Sequence, residues 1–428
     1  MISNYDPCHV PVNNALNSVN SLHSGPEGRI LKMSLAESRK SETFELLEDH
    51  DFLDYLSKHC DRLSEAESES ARLEDLGGNI NRVRRVIYKT AGGGEESLII
   101  KHVPRDGHLA RYPAIKFCDR RLDREHNWYH WCHQISRPGQ NVKVPDILHY
   151  DRERRVMVME DLGRGKAFDT LLQSAADKKT ILSNLGSFLG STHRASLAST
   201  VPLQMDNEAA RQNRRYVFTM HVEEPETVTR IWQDSYKDQD RISLSARLSM
   251  KDEYLDKYAG QIRPVLENLE NSFKTGSSGQ AGGKIVYTHG DLHTRSIILS
   301  QEGAIGIIDA ELSDYGNACF DLGIFVAHLW AHSISLGIPQ EEVLKDTAGF
   351  LGQYSRAFEP GQPVPDSGFL ADFVQHAGAE MLRRLLGPAG FNTDLSREAF
   401  IEVLITATDL LLDGDYLVAR LLEAIEDL

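Results

Sequence analysis

The sequence predicts an α+β fold in two lobes, a small β-rich lobe followed by a larger, mainly helical one, and three observations predict it. A chain of 428 residues with 41% hydrophobic content can bury more than one compact core holds, so two lobes are the economical arrangement. Between Leu73 and Gly163 the apolar residues come in short runs parted by glycine-bearing turns, the pattern of β-hairpins. From Ala167 the apolar spacing lengthens to that of helices and keeps it, apart from one hairpin in the segment 285–308. The expected division is an unstructured arm over 1–40, a small lobe over 41–162 and a large lobe over 163–428.

Composition narrows what the chain can do. A formal net charge of -16 and a pI near 5.5 argue against nucleic acid, which is bound through basic surface. Neutral or cationic small molecules suit such a surface better, although acidity by itself serves solubility. Cys8, Cys60, Cys118, Cys132 and Cys319 are odd in number, scattered and free of any Cys-x-x-Cys pair, as expected of reduced thiols in the cytoplasm. The first residues lack a basic stretch followed by an apolar core, and no apolar run reaches the roughly 18 residues of a membrane helix.

Taken in order, residues 1–40 are rich in Asn, Ser and Pro and lack periodicity. A helix pattern begins at Phe44 and runs through Leu47, Phe52, Tyr55 and Leu56. Leu73 to Val83 then reads as strand, turn, strand around Gly77, Gly78 and Asn79. Such a turn is either an ordinary hairpin or one in which glycines let backbone amides approach phosphate. Gly92-Gly93-Gly94 makes the next turn, and Lys101 ends the apolar run after it. A lysine there is either a solvated strand end or a cation held for a ligand.

The following helix, Cys118 to Ile135, decides between them. Its apolar stripe is Leu122, Glu125, Trp128, Tyr129, Cys132 and Ile135 at helical spacing, with a carboxylate inside it. A carboxylate facing a core is costly unless paired, and Lys101 is the unmatched cation nearby. His126, His130 and His133 on the same helix have the spacing of metal ligands but lack a further ligand-rich segment. After Pro145, Ile147 to Asp151 and Arg155 to Gly163 form another hairpin whose second strand is apolar on both faces. In the large lobe, Leu182, Leu185, Phe188, Leu189 and His193 define a core helix, residues 204–245 are charged and poorly periodic, Tyr254 to Phe273 is an amphipathic helix, and Thr275 to Gly283 is a Gly/Ser loop.

The chemistry centres on Ile285 to Asp321. Ile285-Val286-Tyr287 leads into a polar loop holding Asp291, Ile297-Ile298-Leu299 leaves it, and a turn at Gln301 to Gly303 leads to Ile305 to Ile308, after which come Asp309 and Glu311. Three carboxylates from two adjacent loops repel one another unless a cation is present. His289-Gly290-Asp291 with a polar residue, Ser296, five positions after the aspartate is the layout of a kinase catalytic loop, in which the aspartate orients the acceptor hydroxyl. Asp309 and Glu311 would then hold magnesium against nucleotide phosphates.

These motifs, HGDLHTRS over 289–296 and Asp309-Ala310-Glu311, resemble the aminoglycoside-phosphotransferase and choline-kinase superfamily, whose protein-kinase-like fold acts on small molecules. The resemblance implies ATP and Mg2+ as cofactors. It implies nucleotide contacts at Gly77, Gly78, Asn79, Lys101 with Glu125, the inter-lobe hinge Met159, Glu160 and Leu162, and Ser296. It also implies that Asp321, read here as opening the helix Ile324 to Trp330 and capping its amides, braces the catalytic loop. The family suggests a homodimer.

Glu380 to Ala389 is similar to the twin-arginine helix of 5-methylthioribose kinases, which assigns Arg383 and Arg384, with His293 and Arg295, to the acceptor side. Ser296 in place of asparagine and the strand Val156 to Gly163 agree with that group. Arg295 for glycine, Ala310 for proline, and Arg111-Tyr112-Pro113-Ala114 for a Gly-Glu-Ser-Trp-Pro-like segment depart from it. Glu311 to Gly316 and Asp321 to Gly323 match a pattern of fungal hydroxytryptamine kinases. The expected activity is ATP-dependent phosphorylation of a small-molecule hydroxyl, with another alcohol (hydroxyindole, amino alcohol or sugar) or a non-catalytic nucleotide-binding pseudokinase as the alternatives. An aminoglycoside would call for an acidic pocket, against which Arg383 and Arg384 speak.

Overall fold

The computed structural model describes residues 49–60, 69–77, 81–104, 108–109, 112–116, 120–135, 141–163, 165–197, 208–235, 242–275, 284–361, 364–387, 389–391 and 393–427. The arm over 1–40, Phe44 and Leu47, Gly78 and Asn79, Arg111, Cys8 and Cys118, and the loop over 276–283 lie outside these residues.

The described chain opens with helix α1 (Asp49–His59), then β1 (Arg72–Gly77), β2 (Arg82–Lys89) and β3 (Glu95–His102). A short hairpin, β4 (His108–Leu109) and β5 (Tyr112–Lys116), precedes helix α2 (Arg121–Ile135), and β6 (Val142–Lys143), β7 (Ile147–Asp151) and β8 (Val156–Glu160) follow. Five of these strands form an antiparallel sheet in the order β1-β2-β3-β8-β7. The run Val156-Met157-Val158-Met159 is apolar throughout because both of its faces are covered. Val156 and Val158 pack with Phe52, Tyr55 and Leu56 of α1, whereas Met157 and Met159 join Leu122, Trp128, Tyr129 and Cys132 of α2 in the main core. His126, His130 and His133 do not converge: His126 stacks on Tyr150, and His133 Nε2 lies 3.0 Å from the Pro145 carbonyl.

Beyond β8 the structure is mostly helical. It continues through β9 (Lys166–Ala167), a 3-10 turn (Phe168–Leu171), α3 (Ala175–Leu197), α4 (Glu208–Phe218), α5 (Met220–Glu223), α6 (Pro225–Ser235) and α7 (Leu244–Thr275). Then come β10 (Ile285–Thr288), β11 (Ile297–Leu299), β12 (Ile305–Ile307), β13 (Asp314–Asn317), α8 (Ala318–Ser335), α9 (Gln340–Phe358), α10 (Ser367–Leu386), α11 (Arg397–Leu412) and α12 (Asp415–Glu426). The two-lobed α+β architecture expected from the sequence is borne out. Helix α8 is apolar nearly all round because it is buried nearly all round, at the centre of the helical part. Helices α3 and α9 cross closely at Gly186 and Gly190, where any Cβ would collide with the carbonyls of Phe350 and Tyr354. Among the described residues no helix is long and apolar enough to cross a membrane.

Three differences from the sequence reading stand out. Residues 208–235, read as aperiodic, form α4, α5 and α6. The buried stripe of α4 is Ala210, Asn213, Arg214, Val217 and Phe218, which has helical spacing but carries two polar side chains that hydropathy hides. Helix α7 begins ten residues before Tyr254. Asp321 does not cap α8: Asn317 does, its side-chain oxygen accepting from the Cys319 N–H at 2.9 Å.

The sheet elements also tie the two parts of the chain together. β11 and β12 form the expected hairpin, flanked by β9 on one side and, in parallel, by β6 on the other. The segment preceding β7 thus leaves the small sheet, pairs Val142 with Ile305 beside the catalytic hairpin, and returns.

Candidate active site

The catalytic loop is held by its backbone. Asp321, fully buried, accepts the N–H of His289 at 2.6 Å on one oxygen and that of Gly290 at 2.9 Å on the other. This is the bracing role the resemblance implied, performed from inside α8. Gly290 has φ +87° and backs onto the Leu312 carbonyl, a combination that only glycine tolerates. The His289 Nε2–H donates to the Ile308 carbonyl at 2.9 Å, leaving Nδ1 to accept the Asp291 N–H at 3.3 Å. Burial pushes the His289 pKa below its ordinary value, in keeping with that neutral ring. Asn213 of α4 donates to the Gly290 carbonyl at 3.2 Å.

Downstream of Asp291, His293 Nδ1 accepts the N–H groups of Arg295 and Ser296, each at 3.1 Å, and so caps the 3-10 turn Thr294–Ser296. The Ser296 hydroxyl is buried and donates to the Asp291 carbonyl at 3.2 Å. It stiffens the loop from behind.

The second cluster gathers on Lys101, which is 2% exposed. Its Nζ lies 2.7 Å from Glu125 Oε2, 3.0 Å from Asp309 Oδ1 and 4.0 Å from Glu311 Oε2. The pairing read from the stripe of α2 is therefore present, and α2 extends it: the Tyr129 hydroxyl donates to Glu125 at 2.8 Å and accepts the Asp309 N–H at 3.0 Å. Burial works to lower the pKa of Lys101, but the three carboxylates override it and hold the amine protonated. Burial likewise opposes ionisation of Asp309, and Lys101 reverses that, keeping its carboxyl below the usual range. Asp309 has φ +65°, an uncommon conformation for a residue with a Cβ and one met at functional sites.

Glu311 is held by two residues that the sequence reading did not single out. Arg121 Nε lies 3.2 Å from Glu311 Oε2, and the Asn81 amide donates to the same oxygen at 2.6 Å. Asp309 and Glu311 offer hard oxygens, and among the described residues no group of three or more His, Cys, Asp and Glu gathers to cage a metal. A cation here would rest on these two carboxylates and on a ligand's own oxygens, the manner in which magnesium is held.

The three carboxylates have different cationic partners. Asp291 lies on the side of the twin arginines, with Arg384 Nη2 3.1 Å and Arg383 Nη2 3.8 Å from its Oδ1, and His293 Nε2 4.0 Å from its Oδ2. Both arginines are buried on α10, and both are bound by Glu380 one turn earlier: Arg383 at 2.6 and 2.7 Å, Arg384 at 2.7 Å. Burial opposes ionisation of Glu380, yet the two guanidinium groups bring its pKa well below the ordinary value. His328 of α8 approaches the same carboxylate at 3.4 Å. The signal for Glu380 was in the sequence, since it lies three and four residues before two arginines on an otherwise apolar helix face. Arg295 turns elsewhere, its Nε 2.9 Å from Asp169, and its side chain is half-exposed.

In the small sheet, Gly77 closes β1 with φ +74°. The segment expected to be the hinge is fixed by Asp161, which accepts from Arg85 at 2.6 Å and from Ser97 at 2.7 Å. Glu160 pairs with Lys143 at 2.7 Å and its N–H is taken by the Asp146 carbonyl. Met159 points into the core. Among the described residues the Leu162 N–H has no hydrogen-bond partner, and its side chain rests on Gly306, where a Cβ would strike Leu162 Cδ1. Of the three residues expected at the hinge, Leu162 is the one with an open donor among the described residues.

Three comparisons set this arrangement beside known proteins. The methylthioribose kinase of Bacillus velezensis is 25% identical over 60% of this chain and 65% of its own length, a little under two thirds. The 4-hydroxytryptamine kinase of Psilocybe cyanescens is 26% identical over 66% of this chain and 73% of its own. The structure of a microcompartment-associated aminopropanol kinase gives a TM-score of 0.48 at 17% identity, covering 88% of this chain and all of that one. The family model described as APH, phosphotransferase enzyme family, matches residues 73–368, well over half of the chain. This protein belongs to the phosphotransferase enzyme family.

Proposed function

We propose that the protein transfers the γ-phosphoryl group of ATP to a hydroxyl of a small molecule, with a methylthioribose-like sugar as the first acceptor to test. The observation that carries this reading is the division of the carboxylates: Asp309 beside a buried lysine, Asp291 beside two buried arginines, with His289 bonded both to Asp291 and to the residue before Asp309. Phosphoryl transfer asks mainly for positioning and charge stabilisation, and both are built in.

Each residue has a defined task. Asp291, oriented by Arg384 and by its own braced backbone, accepts the proton of the acceptor hydroxyl. Lys101, fixed by Glu125, faces the charge on the phosphates. Asp309 and Glu311 are the ligands for magnesium, which supplies charge neutralisation across the phosphates when bound. Gly77 faces the phosphates, and Leu162 offers its N–H to the base.

Similarity to a 4-hydroxytryptamine kinase supports a second acceptor class, a hydroxyindole or other alcohol. ADP release over a panel of methylthioribose, other sugars, amino alcohols and hydroxyindoles, with and without magnesium, separates the two. Asp291→Asn is expected to bind ATP as wild type does while turnover falls by about 10²–10⁴-fold. Undiminished turnover in that variant removes Asp291 from the mechanism. Wild-type protein that binds ATP and phosphorylates nothing on the panel favours the pseudokinase.

A further inference from the structure

β12 ends at Ile307, and Asp309, at φ +65°, lies beyond it. Its N–H is taken by the Tyr129 hydroxyl of α2 at 3.0 Å. That hydroxyl donates its own proton to Glu125 Oε1 at 2.8 Å. Glu125 Oε2 lies 2.7 Å from Lys101 Nζ, and Nζ lies 3.0 Å from Asp309 Oδ1. The four residues close a ring that grips Asp309 twice, by its amide and by its carboxylate. Tyr129, Glu125 and Lys101 are buried, whereas the Asp309 side chain is half-exposed.

We infer that Tyr129 is a positioning residue for the metal-binding end of the site: its hydroxyl fixes the backbone of Asp309 so that the carboxylate is presented to a magnesium ion on the nucleotide's phosphates. The inference rests on the kinase reading above and deepens it.

Core packing accounts for the ring of Tyr129 and not for its hydroxyl, which a phenylalanine would lack while filling the same space. An aspartate at positive φ relaxes towards the ordinary backbone regions unless specific bonds hold it. The residue before it is fixed on both sides, the Ile308 N–H on the Ser296 carbonyl at 2.9 Å and the Ile308 carbonyl on His289 Nε2 at 2.9 Å. Asp309 itself is held by Tyr129 on its N–H and by Lys101 on its carboxylate. Burial and the Glu125 carboxylate push the Tyr129 hydroxyl well above its ordinary pKa, so it keeps its proton and remains the donor to Glu125. A bound cation competes with Lys101 for the Asp309 carboxylate, and the amide bond to Tyr129 is the hold that survives that competition. With the hydroxyl removed, the Asp309 N–H and a Glu125 oxygen both lose a buried partner. The carboxylate must then find its orientation as the metal binds, and metal affinity falls.

Calorimetric titration of full-length protein with ATP, in EDTA and over a series of magnesium concentrations, tests this in Tyr129→Phe, which removes the hydroxyl and keeps the ring. The magnesium concentration giving half the maximal gain in ATP affinity is expected to rise by about 10–100-fold, while ATP binding in EDTA stays within about threefold of wild type. In an Asp309→Asn background the same substitution should move neither quantity further, because the charged ligand that Tyr129 positions is already gone. A merely structural hydroxyl would act equally in both backgrounds. Hydrogen exchange at the wild-type Asp309 amide is a second measurement that needs no variant to fold, and exchange slowed by about tenfold or more against an unprotected amide is expected. Exchange at the unprotected rate overturns the inference, as does Tyr129→Phe with wild-type magnesium dependence or with equal losses of ATP affinity in magnesium and EDTA. Wild-type protein that binds no ATP overturns the kinase reading, and this inference with it.

Discussion

Asp291 and Arg384 are joined by a hydrogen bond of 3.1 Å, although they lie 93 residues apart and on different elements. Arg384 does not approach from solvent. It is buried, and Glu380 holds its Nε at 2.7 Å while Nη2 reaches the aspartate. Asp291 is therefore oriented by an ion chain whose far end is a fully buried carboxylate.

That chain has a weak point at Glu380. In Glu380→Ala two buried guanidinium groups lose their shared counterion, and breaking a buried pair from one side costs about 3–5 kcal/mol. Urea unfolding should show this loss. Glu380→Gln, which keeps an acceptor oxygen, is expected to unfold less readily than the alanine variant and to lose turnover while its affinity for ATP is kept. A fall in ATP affinity equal to the fall in turnover would place the arginines' role elsewhere.

Gly290 offers a test of the loop's backbone. Its positive φ alone would cost a side-chain-bearing residue about 1–3 kcal/mol, and the Leu312 carbonyl occupies the space a Cβ needs. Gly290→Ala is expected to lower stability by at least that amount and to abolish turnover, because the two N–H groups on Asp321 can no longer both be seated. Thermal unfolding with a parallel turnover assay checks it. Gly303→Ala, also at positive φ but in open space, is the control that should retain activity.

Buried histidines set the response to acid. Burial, with Arg383 nearby, lowers His221 to about 3, and burial lowers His332 to about 4 against the pull of Asp169. In the unfolded chain each titrates at about 6.5. Between those limits the unfolded state holds more protons, so stability falls as pH drops from about 6.5 towards 4, by up to about 1.4 kcal/mol per pH unit for each group. Above about pH 7 these two groups contribute no slope. Urea midpoints across that range should fall with pH, and His332→Phe should flatten the decline; an unchanged slope would show that other groups carry it.

What was legible in the sequence follows from what each feature costs. Glu125 betrayed itself because a carboxylate in an apolar stripe demands a partner, and Lys101 was the partner at 2.7 Å. The catalytic hairpin was legible because short apolar runs around tight turns admit few other folds. Helix α4 was hidden by the same physics that makes it useful: Asn213 and Arg214 face inward to hold Gly290 and Asp314, so its buried face does not look apolar. The expectation that three carboxylates repel one another unless a cation is present did not foresee that the chain supplies cations from distant elements, Arg121 beside Glu311 and Arg384 beside Asp291, which no local pattern connects to them. Asp321 was placed at a helix start and sits one turn inside it, since Asn317 is the residue that caps the helix, by accepting the Cys319 N–H.

The pairing of Val142 with Ile305 bears on how the small sheet can move against the catalytic hairpin. Besides the crossing at Leu162, this strand fastens the small sheet's side of the chain to the catalytic hairpin, and Lys143 links it back to Glu160. A door hung from two points swings about the line between them and resists twisting. Any movement of the small sheet against this hairpin should therefore follow one arc.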